Sequence, residues 1–447
     1  MSDAEDSGTP STGTMSLRGA VSLGIGAMVG AGIFALLGEA GAIAGAGVWV
    51  SFLVAGLISV ALGYGMAKLG AKYPSAGGLI TYLIQGFGNG RLVAVAAWLG
   101  YITAIVVVGA MVAVSFGEYA AAILPVDDSE AIWSKVFASA LVAGAALLCV
   151  IGPRMLDRAQ TVIVVGLLLV FGVFIVATLT TLDLSLLAPD SYPPVRSIVS
   201  SVALTFFAYL GFAVISFAAG DLRRPERNLP RAMYIALGVT TVLYVAISLG
   251  VFGTLTVQEV VEYGPRAIAE AARPSLGDAG FVAMAIAALL ATSSSVTATL
   301  YASEGLTGTL ADVGQFPTAF GTASRLGRHG GLWITSVLTL LFVTVFDLGA
   351  LASIGSAVSL AVFVLVGVAA VRLRGTIGAR LWVLLAGIVC SVIALVVFAR
   401  DTFESDPKAF WTMILLPFLA LGIDLVWHRR PPPQRAPSLE SSPDRAP

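Results

Sequence analysis

Ser22 to Gly38, SLGIGAMVGAGIFALLG, is the stretch from which the rest of the chain is read. It carries no charge and is apolar enough for a bilayer, yet glycines stand at Gly24, Gly26, Gly30, Gly32 and Gly38. Glycine weakens a helix by roughly 1 kcal/mol relative to alanine, so a close pair invites the backbone to unwind. Inside a membrane an unwound segment survives only where its freed N–H and C=O groups face protein or a water-filled cavity. A half-helix starting there offers N–H groups and a dipole to a carboxylate. Val29, Gly30, Ala31 and Gly32 therefore read as a substrate-binding break in a first transmembrane helix. A second reading stays open: Gly26 and Gly30 have the small-xxx-small spacing that packs one membrane helix on another.

Composition around this stretch is that of a membrane protein. Of 447 residues, 57% are hydrophobic and 11% charged, and mean hydropathy is +0.93. A soluble domain carries about 25% charged residues. The apolar runs are long and continuous, which indicates helices and not a β-barrel. The chain reads as an all-α integral membrane protein of about twelve helices. They lie near 17–44, 48–70, 91–122, 133–151, 161–182, 198–219, 232–254, 279–303, 331–346, 348–371, 380–399 and 409–427. Residues 1–15 and 429–447 read as disordered cytoplasmic tails, 16–371 as a ten-helix transport core, and 372–428 as two added helices.

With both termini in the cytoplasm, 19 of the 25 basic residues fall inside and six outside. The positive-inside rule then places a multi-pass protein in the cytoplasmic (plasma) membrane. The net charge of −1 gives no attraction to nucleic acid. Arg223 to Arg231, RRPERNLPR, reads as a charged loop in which Pro225 and Pro230 limit helix.

A matching break is expected about 180 residues on, where an inverted repeat would place it. The sixth helix carries Phe207-Ala208-Tyr209-Leu210-Gly211 at its middle. Gly211 is the breaker there, with aromatics crowded around it. One break would supply N–H groups to a carboxylate, and the other would leave carbonyls for an ammonium. Together they suit a small zwitterion.

Four collinear stretches carry a family resemblance. They are GIGAMVGAGIFALLG in the first helix, Tyr73 to Gly78 (YPSAGG), Phe206 to Phe212 continuing to Leu222–Ala232, and Ser295 to Ala302 (SVTATLYA). They resemble the amino acid–polyamine–organocation superfamily, and its cationic amino acid transporter branch in particular. The resemblance implies a LeuT-like five-plus-five inverted repeat with broken helices 1 and 6, working by alternating access. By similarity, Val29, Gly30, Ala31, Gly32 and Ile33 would meet the substrate carboxylate. Phe207, Ala208 and Leu210 would offer carbonyls to the amino group, and Phe207 or Tyr209 would stack over the substrate or gate it.

This chain departs from the pattern in informative ways. Proton-coupled relatives place a lysine in helix 5, whereas Val162 to Val176 here contains no ionisable side chain. The acidic residue that often follows the helix 6 Gly-Phe pair is Ala213. The proton mechanism of those relatives is therefore not carried over. In the helix 8 run Thr292-Ser293-Ser294-Ser295, hydroxyls, with Thr292, Ser293 and Ser294 foremost, could help hold Na⁺, or could simply bond back to carbonyls of their own helix. Coupling to H⁺ or Na⁺ stays open, and no cofactor is expected. The chain has no G-x-x-x-x-G-K-[ST] loop and no gathered set of titratable or metal-binding groups, which argues against an enzyme.

The expected function is a secondary active permease for amino acids, neutral or apolar ones. Alternatives are an exchanger or facilitator without ion coupling, a polyamine or organic amine transporter, and a non-transporting amino acid sensor. The expected partners are the small-molecule substrate and membrane lipid. Helices 11 and 12 could meet either a second copy or lipid.

Overall fold

Ser16 sets the start of the first membrane helix, because its side chain accepts from the Gly19 N–H at 3.1 Å. In a computed structural model the described residues are 15–427, except 76, 89, 124–129, 152, 153, 189–191, 313, 322–326, 328 and 406. The tail readings at 1–14 and 429–447 fall outside them.

The first apolar run folds as two helices, α1 (Leu17–Ala31) and α2 (Ile33–Ala44), separated at Gly32. A 3₁₀ turn at Gly45–Gly47, with Gly45 at φ 52°, leads into α3 (Val48–Lys72). Next come the short α4 (Gly78–Phe87) and α5 (Arg91–Tyr101). A π-helical turn at Ile102–Val107 carries α5 into α6 (Val108–Ile123). The helices α7 (Glu130–Ile151) and α8 (Arg154–Thr178) complete the first half.

The second half opens with another interrupted pair, α9 (Val195–Phe207) and α10 (Phe212–Phe217), followed by α11 (Pro225–Phe252). A small hairpin, α12 (Val257–Tyr263) and α13 (Ala267–Glu270), leads to α14 (Arg273–Asp312), which kinks at Gly277. Then follow α15 (Gly330–Val345) and α16 (Leu348–Arg372). One turn, α17 (Arg374–Ile377), joins these to the last two helices, α18 (Leu381–Ser405) and α19 (Pro407–Trp427).

Helices stand at all twelve expected positions, and among the described residues nine are long and apolar enough to cross a membrane, while α4, α12, α13 and α17 were not foreseen. Arg223 to Arg231 also corrects its reading, since most of it is helical. Pro225 occupies the first position of α11, where no N–H is needed, and Pro230 removes a single bond at an exposed helix start.

The two interrupted helices lie side by side and antiparallel. Met15 pairs with Leu222, Gly211 sits against Ala27 and Met28, and Ser201 Oγ donates to the Ala40 carbonyl. Positions rise along one helix as they fall along the other. Their successors α3 and α11 do the same, with Gly56 against Thr241, Gly63 against Leu237 and Gly70 against Leu229. This is the inverted five-plus-five repeat. Outside it, α18 packs on α3, α9 and α16, and α19 packs on α5.

Lipid gives apolar side chains little reason to associate, so membrane helices hold together by close packing and by bonds between polar groups. The molecule follows that rule. Leu169, Val337 and Leu415 are each more than 60% exposed on the outer surface. The bulkiest buried side chains, among them Phe34, Phe52, Phe207, Tyr209 and Tyr244, surround the two breaks.

Candidate substrate site at the paired helix breaks

Each break has its own geometry. At the first, Gly32 alone leaves helical angles, with φ −96° and ψ −80°. Its N–H still bonds the Met28 carbonyl at 2.7 Å, and its own carbonyl accepts from Leu36 at 2.9 Å. Ile33, Phe34 and Ala35 therefore form the first turn of α2, whose N–H groups have no carbonyl one turn below them, and the Ile33 N–H meets the Tyr244 hydroxyl instead. Val29, Gly30 and Ala31 close α1, so their carbonyls face the same gap. Donors and acceptors thus meet at one point.

The second break is a tightened turn and not an opening. Ala208 and Gly211 keep right-handed angles, and the bonds shorten to three-residue steps. Tyr209 N–H bonds Phe206 O at 2.9 Å, Leu210 N–H bonds Phe207 O at 3.1 Å, and Ala213 N–H bonds Leu210 O at 2.9 Å. The Phe207 and Leu210 carbonyls therefore already accept within this turn. The Ala208 carbonyl accepts from a side chain instead, at 3.2 Å from the Tyr244 hydroxyl.

Tyr244 is the residue that the sequence reading missed. It stands on α11, fully buried, and its hydroxyl also donates to the Met28 carbonyl at 2.6 Å. One phenol thus joins both breaks. Its ring packs against Phe52 at 5.3 Å and Tyr209 at 5.1 Å. A lone tyrosine in an apolar helix belongs to no motif, so only the fold brings it into view.

The glycines here serve close approach. A methyl at Gly211 would lie 2.3 Å from the Met28 nitrogen, and one at Gly32 would lie 2.1 Å from the Tyr244 oxygen. A methyl at Gly30 would lie 2.2 Å from the Ala291 carbonyl of α14. The small-xxx-small and broken-helix readings of Gly30 are therefore both realised, because α14 packs on the helix that breaks two residues later.

The aromatic residues are placed as follows. The Phe207 ring covers Gly355 on α16. The Tyr209 hydroxyl donates to the Phe52 carbonyl at 2.9 Å, which turns that ring toward α3 and α11. Farther along α2, Phe34 packs on Phe171 and edge-on against Tyr119. Tyr119 in turn donates to the Pro265 carbonyl of the α12–α13 hairpin.

On α14, Thr292, Ser293 and Ser294 do not converge, because successive helix residues point about 100° apart. Thr292 donates to its own Ala288 carbonyl at 2.6 Å, and Ser293 to Leu290 at 3.0 Å. Ser294 is buried and faces another direction. Their neighbour Ser295 is the hydroxyl that reaches α1, donating to the Ala27 carbonyl at 3.2 Å.

The wall around the breaks is apolar. Val29, Ile33, Phe207, Leu210 and Ala213 are all buried, and α8 contributes buried Val164 and Leu167. Glu39 lies six residues past Ile33, roughly 9 Å along the helix. Between the breaks and the end of the bundle where α1 begins lies a cavity of about 170 Å³, lined by Leu23, Val214, Phe217, Asp221, Tyr301 and Glu304. Glu304 Oε1 there meets His329 Nδ1 at 2.9 Å.

With this geometry in hand, known proteins place the chain. A family model described as Amino acid permease matches residues 15–422. Inner membrane transport protein YbaT of Escherichia coli (strain K12) is 33% identical over 415 residues, covering 93% of this chain and 96% of that protein. The methylthioribose transporter of Bacillus subtilis (strain 168) is 26% identical over 381 residues, 79% of each chain. The serine/threonine exchanger SteT of the same organism is 28% identical over 270 residues, 58% of this chain and 59% of that one. The chain belongs to the amino acid permease family and is a multi-pass membrane transporter, not an enzyme.

Proposed function

We propose that this amino acid permease carries neutral or apolar amino acids between its two helix breaks by alternating access. The substrate carboxylate lies on the first N–H groups of α2, near Ile33. Its ammonium takes carbonyls at the end of α1 and at Ala208. The observation that carries this reading is the contrast between main-chain polarity and wall chemistry: backbone donors and acceptors meet inside a wall of Val29, Ile33, Phe207, Leu210 and Ala213. A zwitterionic head finds partners there, and a lysine or arginine side chain finds no carboxylate.

The apolar face of α8 supports exchange of one amino acid for another, without a proton carried on helix 5. A relative named as a serine/threonine exchanger is consistent with that mode. A relative named for methylthioribose marks the competing substrate class, which lacks both carboxylate and ammonium. We place the end of the bundle where α1 begins, and both termini, in the cytoplasm, on the strength of the basic-residue bias.

Uptake into liposomes tests the reading. Labelled neutral amino acids are offered at fixed pH without Na⁺, with and without unlabelled amino acid inside. Uptake that needs internal substrate, and that alanine or leucine inhibits better than arginine, is the expected result. Arginine competing best would overturn the substrate class. Accumulation in empty vesicles driven by a proton or Na⁺ gradient would overturn uncoupled exchange.

A further inference from the structure

The bundle end where α1 begins is uneven in charge. Around α10 and α11, Asp221 and Glu226 stand among Arg223, Arg224, Arg227 and Arg231. On the other flank the sequence has no Asp or Glu from Ala40 to Gly117, and none from Leu348 to Arg400. Those two segments place Lys68, Lys72, Arg91, Arg372, Arg374 and Arg380 at this same end. All but half-buried Lys68 are exposed. A topology signal requires positive charge, but it does not require that acidic residues be missing over two such long stretches.

The fold draws these cations to one level. Arg372 Nη1 donates to the Gly86 carbonyl at 3.2 Å, and its guanidinium lies 4.8 Å above the Phe87 ring. Lys68 Nζ lies 6.0 Å from the Tyr64 ring, and the Tyr64 hydroxyl accepts from the Arg380 N–H at 2.8 Å. The end of α16 is thereby tied to α4, and the start of α18 to the end of α3. Directly beneath them, on the outer surface, Leu92 is 51% and Trp382 68% exposed. A cation followed within two residues by an exposed apolar or indole side chain marks the level at which headgroups meet acyl chains.

We propose that this flank is a docking surface for the headgroup of an anionic phospholipid in the adjoining leaflet. The phosphate lies among Arg91, Arg374 and Arg380, and its acyl chains run down past Leu92 and Trp382. The inference rests on the membrane crossing and not on the substrate reading. Each surface cation contributes about five-fold in affinity for an anionic membrane.

Native mass spectrometry of the full chain in detergent tests it, comparing retention of phosphatidylglycerol and phosphatidylcholine of matched chains. Wild type is expected to retain phosphatidylglycerol preferentially. Arg374→Gln with Arg380→Gln is expected to weaken that retention about 25-fold. Arg227→Gln with Arg231→Gln, on the acid-containing flank, leaves it unchanged, and excess inorganic phosphate does not displace the lipid. Equal retention of the two lipids by wild type, equal loss from both double variants, or displacement by phosphate would each overturn the proposal. Should the first double variant fail to fold, Arg374→Gln alone, at an exposed position, gives the same reading with a five-fold effect.

Discussion

The two interrupted helices share a topology but not a mechanism of interruption. In α1–α2 one residue, Gly32, departs from helical angles, and the bonds made by its N–H and carbonyl keep a four-residue step. In α9–α10 no residue departs, and four residues tighten into three-residue steps. The first break exposes main-chain groups by changing direction. The second exposes little, but it brings its backbone hard against α1 at Gly211. A repeat can therefore preserve the place of a break while dividing the labour, with one side presenting donors and the other pressing.

Substituting the pressing side gives the largest expected effect. Gly211→Ala puts a methyl 2.3 Å from the Met28 nitrogen, a contact between two backbones that no rotamer can relieve. Overpacking of this kind costs about 1–3 kcal/mol or more, and it parts the two breaks. Liposome uptake should fall to background, and the melting temperature should drop. Gly238→Ala, with open space around its site, is the comparison and should be neutral or slightly stabilising. Equal loss from both variants would break the distinction.

Tyr244→Phe comes next. It keeps the ring against Phe52 and Tyr209 but leaves the buried Ala208 carbonyl without its donor, while the Met28 carbonyl keeps the Gly32 N–H. An unsatisfied buried group costs about 1–3 kcal/mol. Detergent melts should show that loss, and uptake should fall while the substrate competition order stays the same. If uptake is unchanged, the phenol is not what couples the breaks.

Ser295→Ala removes one neutral bond to the Ala27 carbonyl, worth about 1 kcal/mol. It sharpens the first break's side of the comparison. A variant that loses only stability leaves exchange uncoupled, whereas one that loses dependence on an imposed Na⁺ gradient makes Ser295 an ion ligand.

The smallest effect belongs to the hairpin beside α2, where Gly264 lies against Gly38. Thr256 and Glu259 form a reciprocal cap at the start of α12. Bonds from the Thr256 N–H and hydroxyl hold the Glu259 carboxyl below its usual range. A lowered acid stabilises the folded form at neutral pH and loses that contribution as pH falls through the folded value. The group is exposed, so water screens the effect. Thr256→Ala should lower the melting temperature slightly at pH 7, and the difference should shrink, without vanishing, as pH falls below the usual carboxylate range, because the hydroxyl still caps the Glu259 N–H.

The crossings were legible because each is a long apolar run bounded by charged, glycine, proline or other polar residues. The short elements were not. α4 is ten residues long, α17 is one turn, and the hairpin rests on a cap that looks like ordinary loop sequence. At the site, Gly32 was legible as a conformational break. Gly211 was legible as the place of the second break but not as a close approach to α1, since a glycine kept for close approach looks identical in sequence to one kept for its angles. Tyr244 was out of reach for a different reason: its Met28 partner lies 216 residues away, and no local pattern records such a bond. Ser295 stood in the helix 8 hydroxyl run, but which of those hydroxyls reaches α1, 268 residues away, only the fold shows.

The strand-like pairing of Met15 with Leu222 bears on how this protein should be watched. Met15 N–H donates to the Asp221 carbonyl, and Arg223 N–H donates back to Met15. The lower halves of both interrupted helices are thus clasped at their feet, a link that would make them one lever in any movement. A spectroscopist who puts a spin label on each of them would record a single interval in every conformation. With one label moved to α14, the same lever becomes a pointer against a fixed scale.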